Sequence, residues 1–345
     1  MFLRGGDRRA VPRFRCLTCR RTFSLQSFAF SYYLKRPDLS VPIAAGLLAG
    51  SAHRQIARSL ACAPSTVTRR AARLGRHAIL FSSQVLQHLP GLTEPAVVDH
   101  FESFAVCQDD PVGVATVVGH RSWFVYALDP APHRRGGRMT PAQRRRARRR
   151  PRPPAGSYLR SFTRVLDFLV ERGRGTGDLD LITDDHPAYG VALARHPQRQ
   201  RIRHQAFRNP PRGPKGAPRS AEARRRDRAM FPVDLLHALM RHSCAHHRRE
   251  TIAFSRRLNA LLERGFLLAV WRNFVKARSE RRSGEITPAM QLGLTRQRWA
   301  WGRVLAQRVF PSRTPAPPEW MRIYRREWEV AHVPPATRHA LKLAF

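Results

Sequence analysis

Three acidic residues, Asp99, Asp184 and Asp234, stand far apart in the chain but in settings that suit chemistry. Asp99 closes a short apolar, β-branched run in PAVVDHFESF (residues 95–104), and Asp184 does the same in LDLITDDHPAY (residues 179–189). Asp234 lies in PVDLLHALMRH (residues 232–242), where the apolar spacing reads as a helix. Carboxylates from two strand ends and a helix suit a divalent metal ion, because hard cations such as Mg²⁺ take oxygen ligands. Each acid also has a plainer reading. Asp99 fits a strand-end residue paired to an Arg, Asp184 the N-cap of a helix starting near His186, and Asp234 a surface carboxylate in a first helical turn.

The elements that must position these acids follow from periodicity. Residues 96–106, 112–119 and 122–128 are β-rich runs separated by short turn signals, which predicts an antiparallel meander. Leu159, Phe162, Val165, Leu166 and Leu169 give residues 158–170 helical spacing, and a Gly-rich break at 173–177 precedes another strand at 179–183. Between meander and helix, residues 133–154 include RRRARRRPRPP and read as a loop or an arm along a phosphate backbone. Residues 254–277 carry Leu258, Leu261, Leu262, Phe266, Leu267, Val270, Trp271 and Phe274 at the spacing of a long amphipathic helix. Farther on, Trp299, Trp301, Trp320, Tyr324 and Trp328 alternate with Arg and Pro. They read as cover for a small helical extension, with stacking on unpaired bases as the alternative.

Composition narrows the function. A chain of 345 residues, 42% hydrophobic, holds one large domain or two to three smaller ones and is not wholly disordered. Lys and Arg total 63 against 24 Asp and Glu, a formal charge of +39 carried almost wholly by Arg. Such a chain needs a polyanion, and the planar Arg fork suits phosphate. A high-GC genome would explain Arg over Lys but not the deficit of acids. No stretch approaches the ~20 apolar residues of a membrane span, and no signal-peptide core is present, so a cytoplasmic, nucleoid-associated protein is expected. The five cysteines are scattered and odd in number, which argues for reduced thiols over a disulfide framework.

The N-terminal part points to DNA. In RFRCLTCRRTFS (residues 13–24), Cys16 and Cys19 form a C-x-x-C knuckle able to hold one side of a tetrahedral Zn²⁺. A second pair is missing, so either the chain starts late or the knuckle is vestigial, and two unligated thiols stand as the alternative. Residues 40–81 are helical by period and contain SAHRQIARSLACAPSTVTRRAARLG (residues 51–75). Ile56, Ala57 and Leu60 form one apolar face, residues 61–63 a turn, and Pro64 and Ser65 open a second helix with Val67, Ala71 and Leu74 inward. This is the layout of a helix-turn-helix, in which Ser65, Thr66, Thr68, Arg69 and Arg70 would enter the major groove of double-stranded DNA. An ordinary αα-hairpin is the competing reading.

With these features in place, residues 13–294 resemble insertion-sequence DNA transposases of the acidic-triad (DDE/DDD, ribonuclease-H-like, retroviral-integrase) superfamily. Asp99 with Glu102, Ser103 and Phe104 resembles the first motif, although His100 stands where the family usually has Glu. Thr183, Asp184, His186, Ala188 and Tyr189 resemble T-D-x-H-x-A-Y, which selects Asp184 over Asp185. TIAFSR (residues 251–256) resembles T-x-x-F-S-[KR], and counting back from it places Asp234 at the family's Glu, His237 at its Asn and Arg241 at its Arg. WRNFVK (residues 271–276) and TPAMQLGL (residues 287–294) resemble the closing segments.

The resemblance implies an α/β (α+β) chain. Its expected parts are a half zinc-ribbon knuckle (1–30), a helix-turn-helix domain (31–90), a ribonuclease-H-like mixed-sheet core (91–280, insertion 133–154) and a helical extension (281–345). It implies metal-dependent DNA cleavage and strand transfer using two Mg²⁺ or Mn²⁺ ions ~3.5–4 Å apart. In that scheme Asp99 bridges both ions, Asp184 binds one and Asp234 the other. His237 and Arg241, at i+3 and i+7 from Asp234, become donors near the scissile phosphate. Implied partners are transposon ends, target DNA and further copies of the chain. Because the third acid is Asp and His100 replaces an acid, a catalytically decayed DNA-binding relative is the alternative, and an RNA-binding basic protein a third. Glu250 and Glu263 compete as third acids, and His242, Cys244, His246 and His247 as a zinc cluster with His242 and His246 four apart.

Overall fold

Val97, Val98, Val112, Val114, Val117 and Val118 are all buried, on paired strands where branched side chains pack well against a pleated surface. The protein is seen in a computed structural model that describes residues 11–27, 29–89, 91–173, 177–211, 214 and 216–329. An N-terminal hairpin of β1 (Arg13–Arg15) and β2 (Thr22–Ser24) stands apart from the main sheet. That sheet contains β3 (Ala96–Phe104), β4 (Pro111–Gly119), β5 (Val125–Pro132), β6 (Leu179–Thr183) and β7 (Ile202–Ala206), in the order β5-β4-β3-β6-β7. The meander β3-β4-β5 is antiparallel, whereas β6 pairs parallel with β3 and β7 parallel with β6. The chain is therefore mixed α/β with a five-stranded mixed sheet.

Helices cover both faces of the sheet. On one side lie α5 (Ser157–Arg172) and α6 (Pro187–Arg195), and on the other α7 (Ala221–Ser243) and α8 (Leu258–Val270). Alternation along β5 shows the division: Asp129 meets Arg164 of α5, and Leu128 faces Gly265 of α8. The outer edge of β5 is closed by Asn273, whose side chain accepts from the Val125 N–H at 2.8 Å and donates to its carbonyl at 2.9 Å. An unpaired edge is a template for aggregation, and this side chain occupies it. Asn273 lies in a π-helical turn, Trp271–Val275, that ends α8.

Before the sheet come α1 (Ser40–Leu48), α2 (His53–Ser59) and α3 (Pro64–Gln87). Ile56, Ala57, Val67, Ala71 and Leu74 are buried as their spacing predicts. The turn between α2 and α3 holds Ala61 at φ +45°, and Pro64 starts α3 where its missing N–H costs nothing. α3 then runs on for 24 residues, and its second half lies along α8. One continuous hydrophobic core therefore joins this helical segment to the sheet.

Some elements differ from expectation. The Arg/Pro insertion is not all loop, because Thr140 and Gln143 form a reciprocal cap that starts α4 (Pro141–Arg148). β7 had no legible pattern, since only Ile202 of its five residues is buried. The C-terminal aromatics serve packing: beside α9 (Pro288–Gln291), α10 (Trp301–Ala306) and α11 (Pro318–Tyr324), the side chains of Trp301, Trp320 and Tyr324 are buried. Trp320 meets Phe266 edge-on at 4.7 Å. Residues 1–10 of the half-ribbon segment, 174–176 of the Gly-rich break and 330–345 of the extension lie outside the described residues. Among the described residues no helix is long and apolar enough to cross a membrane.

α3 packs tightly on α8 at Gly75, where an added Cβ would lie 2.4 Å from the Glu263 Cβ and 2.7 Å from its carbonyl oxygen. Gly75→Ala is expected to cost roughly 1–3 kcal/mol by forcing the helices apart. Gly190→Ala, in open space on α6, is expected to be neutral or to stabilise by up to about 1 kcal/mol. Urea denaturation of the two variants checks the contrast.

Candidate metal centre

The parallel register of β3 and β6 pairs Ala96 with Leu181, Val97 with Ile182 and Val98 with Thr183. One residue farther along each strand stand Asp99 and Asp184. Adjacent strands lie about 4.8 Å apart, so this register sets the two carboxylates side by side at the mouth of the sheet. Asp99 faces the α7 side, as its neighbours show: the Phe101 ring lies 5.2 Å from His237 in a tilted contact, and Ser103 meets His247 at 2.9 Å. Glu102 has the opposite parity and points to the α5 side, where Tyr158 donates to it and His133 lies 3.4 Å away. An acid three residues from Asp99 on a strand cannot join its site.

The pair is electrostatically crowded. The Asp99 carboxyl is pushed up to about 7, chiefly by burial and then by Asp184, with Asp234 adding to it; the His100 N–H, donated to Oδ1 at 2.7 Å, only partly offsets this. Burial also raises Asp184, against the pull of His186 and Arg226. The Oδ1 atom of Asp184 is buried with no hydrogen-bond partner. Two close carboxylates, one with an unsatisfied buried oxygen and the other holding its proton to near neutrality, form a donor set that fits a divalent cation.

His237 projects from α7 onto this pair. Thr116, opposite Asp99 in the β3/β4 register, donates its hydroxyl to the Asp99 carbonyl at 3.0 Å and so accepts from His237 Nε2 at 2.9 Å. That network assigns the proton to Nε2 and leaves the Nδ1 lone pair facing Asp99 Oδ2 at 3.8 Å. Burial, then Arg241 and Arg226, push the imidazole down to about 3, so the contact is with a neutral ring and is no ion pair. The resemblance makes His237 a donor to phosphate; its one N–H is already committed to Thr116.

Asp234 and Arg241 also depart from expectation. Asp234 has 40% of its side chain exposed and is gripped by Arg226 of the same helix. Among the described residues no three His, Cys, Asp or Glu side chains converge to hold a metal. The physical reason is that ion pair, which holds the third acid within electrostatic reach of Asp99 but directed at a guanidinium. Arg241 donates to the carbonyls of Glu102 and His247 at 3.1 and 3.2 Å and covers Phe101, so it braces the end of α7 against β3. Arg226 carries no signal of this role in the sequence, where it is one of three consecutive arginines.

The sheet's other face fixes the loop after β6. His100 meets the Tyr189 hydroxyl at 2.6 Å, and Tyr189 stacks on Phe162 at 4.2 Å. His186 caps α6 by accepting from the Ala188 N–H and stacks on Tyr158 at 5.0 Å. His100, which replaces an acid in the resemblance, is thus a buried strut. Of the rival third acids, Glu263 is buried in a two-point ion pair with Arg326 at 2.8 Å, and Glu250 is exposed. His242 and His246 do not share a helix, since α7 ends at Ser243.

At the N-terminus Cys16 and Cys19 occupy the β1-β2 turn. The Cys19 N–H directed at the Cys16 sulfur holds that thiol below its usual value. Two thiols at this spacing would supply half of a tetrahedral zinc shell. On α3, Ser65, Thr68 and Arg69 are exposed and Thr66 is half-buried. Thr68 donates to the Pro64 carbonyl at 3.1 Å and meets His53 at 3.0 Å. Arg70 is turned inward, bonding Ser40 Oγ at 2.6 Å and the Arg36 carbonyl at 3.0 Å, because its position on α3 faces α1. It is not available to a groove.

The sign of the Asp99 effect on stability follows from its direction. A carboxyl raised from 3.8 to about 7 binds its proton more tightly when folded, so the metal-free protein loses stability as pH rises from about 4 to 7. Asn at position 99 removes that loss, worth at most about 4 kcal/mol. Denaturation with chelator at pH 5 and pH 8 is expected to show Asp99→Asn gaining on the parent at the higher pH, and Mn²⁺ stabilising only the parent. Set against known proteins, the chain matches no family model and no curated protein.

Proposed function

We propose that this chain is a metal-dependent DNA transposase that cleaves and rejoins DNA strands for an insertion sequence. The observation that carries the reading is the β3/β6 register, which sets Asp99 beside Asp184, whose buried Oδ1 has no hydrogen-bond partner. Support also comes from topology. An antiparallel meander followed by two parallel strands, with acids on the central strand, its parallel neighbour and a later helix, is what a ribonuclease-H-like core would have. Asp99 and Asp184 would hold Mg²⁺ or Mn²⁺, which when bound lowers the cost of charge on attacking and leaving oxygens. The chain's own part is positional: Thr116 and the neutral His237 fix the Asp99 side of the site, and the His100–Tyr189 contact fixes the loop that carries Asp184. DNA would be engaged through the exposed start of α3, with Ser65, Thr66, Thr68 and Arg69, and Zn²⁺ would sit at Cys16 and Cys19 if two further ligands complete it.

A second reading, a transposase-derived DNA-binding protein that no longer cuts, is favoured by one observation. Asp234 is held by Arg226, and completing a third ligand requires that ion pair to open.

Cleavage and strand transfer on DNA carrying the flanking genomic ends decides between them. The parent is expected to give products only with Mg²⁺ or Mn²⁺, and Asp99→Asn or Asp184→Asn to lower the yield by roughly a hundredfold or more. Full activity in both variants sinks the metal-site reading. An inactive parent whose Asp234→Glu variant cuts would establish the decayed binder.

A further inference from the structure

Ten arginines and no Asp or Glu lie between residues 133 and 154, and the six from Arg144 to Arg150 fall into two sets on and just after α4. Arg146 and Arg150, four residues apart, turn toward residues 107–110: Arg146 bonds Asp109 at 3.2 Å, and Arg150 lies 3.4 Å from Asp110 and 3.2 Å from the Cys107 sulfur. Arg135 adds a 2.6 Å bond to Asp109, whose side chain is only 4% exposed. Arg144, Arg145, Arg148 and Arg149 take the outer side, all exposed and with no side-chain partner among the described residues. A solvated charge run has no reason to be pinned. This one is held in a fixed orientation by the buried Asp109 and the half-buried Asp110, with its other guanidinium groups outward.

The same turn, residues 105–110, anchors a second basic element from far along the chain. Val106 N–H donates to the Ser255 carbonyl at 2.7 Å, Ala105 pairs with Ser255 as an isolated bridge, and Gln108 reaches the Arg249 carbonyl. The loop so held carries Arg249 and Arg256, both exposed. The turn starts at the end of β3, five residues from Asp99. At about 3.3 Å per residue that is roughly 17 Å, or about five base-pair steps of duplex.

We infer that the outer arginines of α4, with Arg249 and Arg256, form a rigid docking surface for the phosphate backbone of duplex DNA beside the carboxylate site. The inference rests on the proposed function for the position of the reacting bond. Charge complementarity selects the partner class: an acid-free arginine run and a second basic loop, whose single acid is Glu250, are pinned to one turn and present fixed forks to a regularly spaced polyanion.

The test is the salt dependence of binding to duplex DNA, read by fluorescence anisotropy between about 50 and 200 mM salt. The variant replaces Arg144, Arg145, Arg148 and Arg149 together by Ala. None of α4 is buried, and Ala favours helix, so the fold is retained, as circular dichroism will verify. The slope of log K against log salt is expected to fall by about 0.9 for each phosphate the variant no longer neutralises, roughly 2–4 in all. An unchanged slope overturns the inference, as does tighter binding of single-stranded RNA than duplex at matched salt. Asp99→Asn, assayed in parallel, is expected to keep the full slope. If the slope falls in the arginine variant but the parent never cuts DNA, the catalytic reading fails and the surface stands. Cutting by the parent with an unaltered slope means the reverse.

Discussion

Parallel pairing between β3 and β6 is the constraint on which the rest of the structure depends. It is short, three residue pairs, yet it brings Asp99 and Asp184 to the same level on neighbouring strands. Like charges at that spacing oppose each other, and partial burial strengthens the opposition by removing water. The protein accepts this cost on the central strand of its sheet. A proton on Asp99 relieves it in one state, and a cation between the carboxylates would relieve it in another. Local strain of this kind is informative because nothing in the packing of the sheet requires acids there.

The surroundings read as support for that pair. α7 crosses β3, β4 and β6, which places His237 over Asp99 and keeps Asp234 close. Arg241 and Ser103 tie the end of α7 and its following turn back to β3. Across the sheet, the contacts of His100, Tyr158, Tyr189 and His186 stiffen the segment that leaves β6. Each face thus fixes one of the two carboxylates, and only the third acid, on its ion pair, has freedom to be redirected.

Charge is distributed by a similar logic. Asp109, Asp129 and Glu263 are buried and each is matched by arginines. Breaking such pairs leaves an uncompensated buried charge, so they define geometry more than they add stability. With the few acids committed in this way, most arginines remain unneutralised on the surface. Self-repulsion in a chain of formal charge +39 is relieved by a polyanion, and counterion release makes that association salt-dependent.

The sequence by itself determined the elements whose signal is local. The meander, the strand at 179–183, the helix at α5 and the inward residues of α2 and α3 were legible because burial repeats with the period of the backbone. β7 was not, since a strand with one buried residue carries no period, and α4 was hidden inside a charge run whose cap, Thr140 with Gln143, is easily overlooked. The acids could be named from their positions at the ends of apolar runs, but their relation could not. Folding set Asp99 beside Asp184, gave Asp234 to Arg226, turned Arg70 inward and kept His237 neutral with its N–H donated to Thr116. Those outcomes depend on strand register and on partners tens of residues away, and interactions between distant residues leave no periodic trace along the chain.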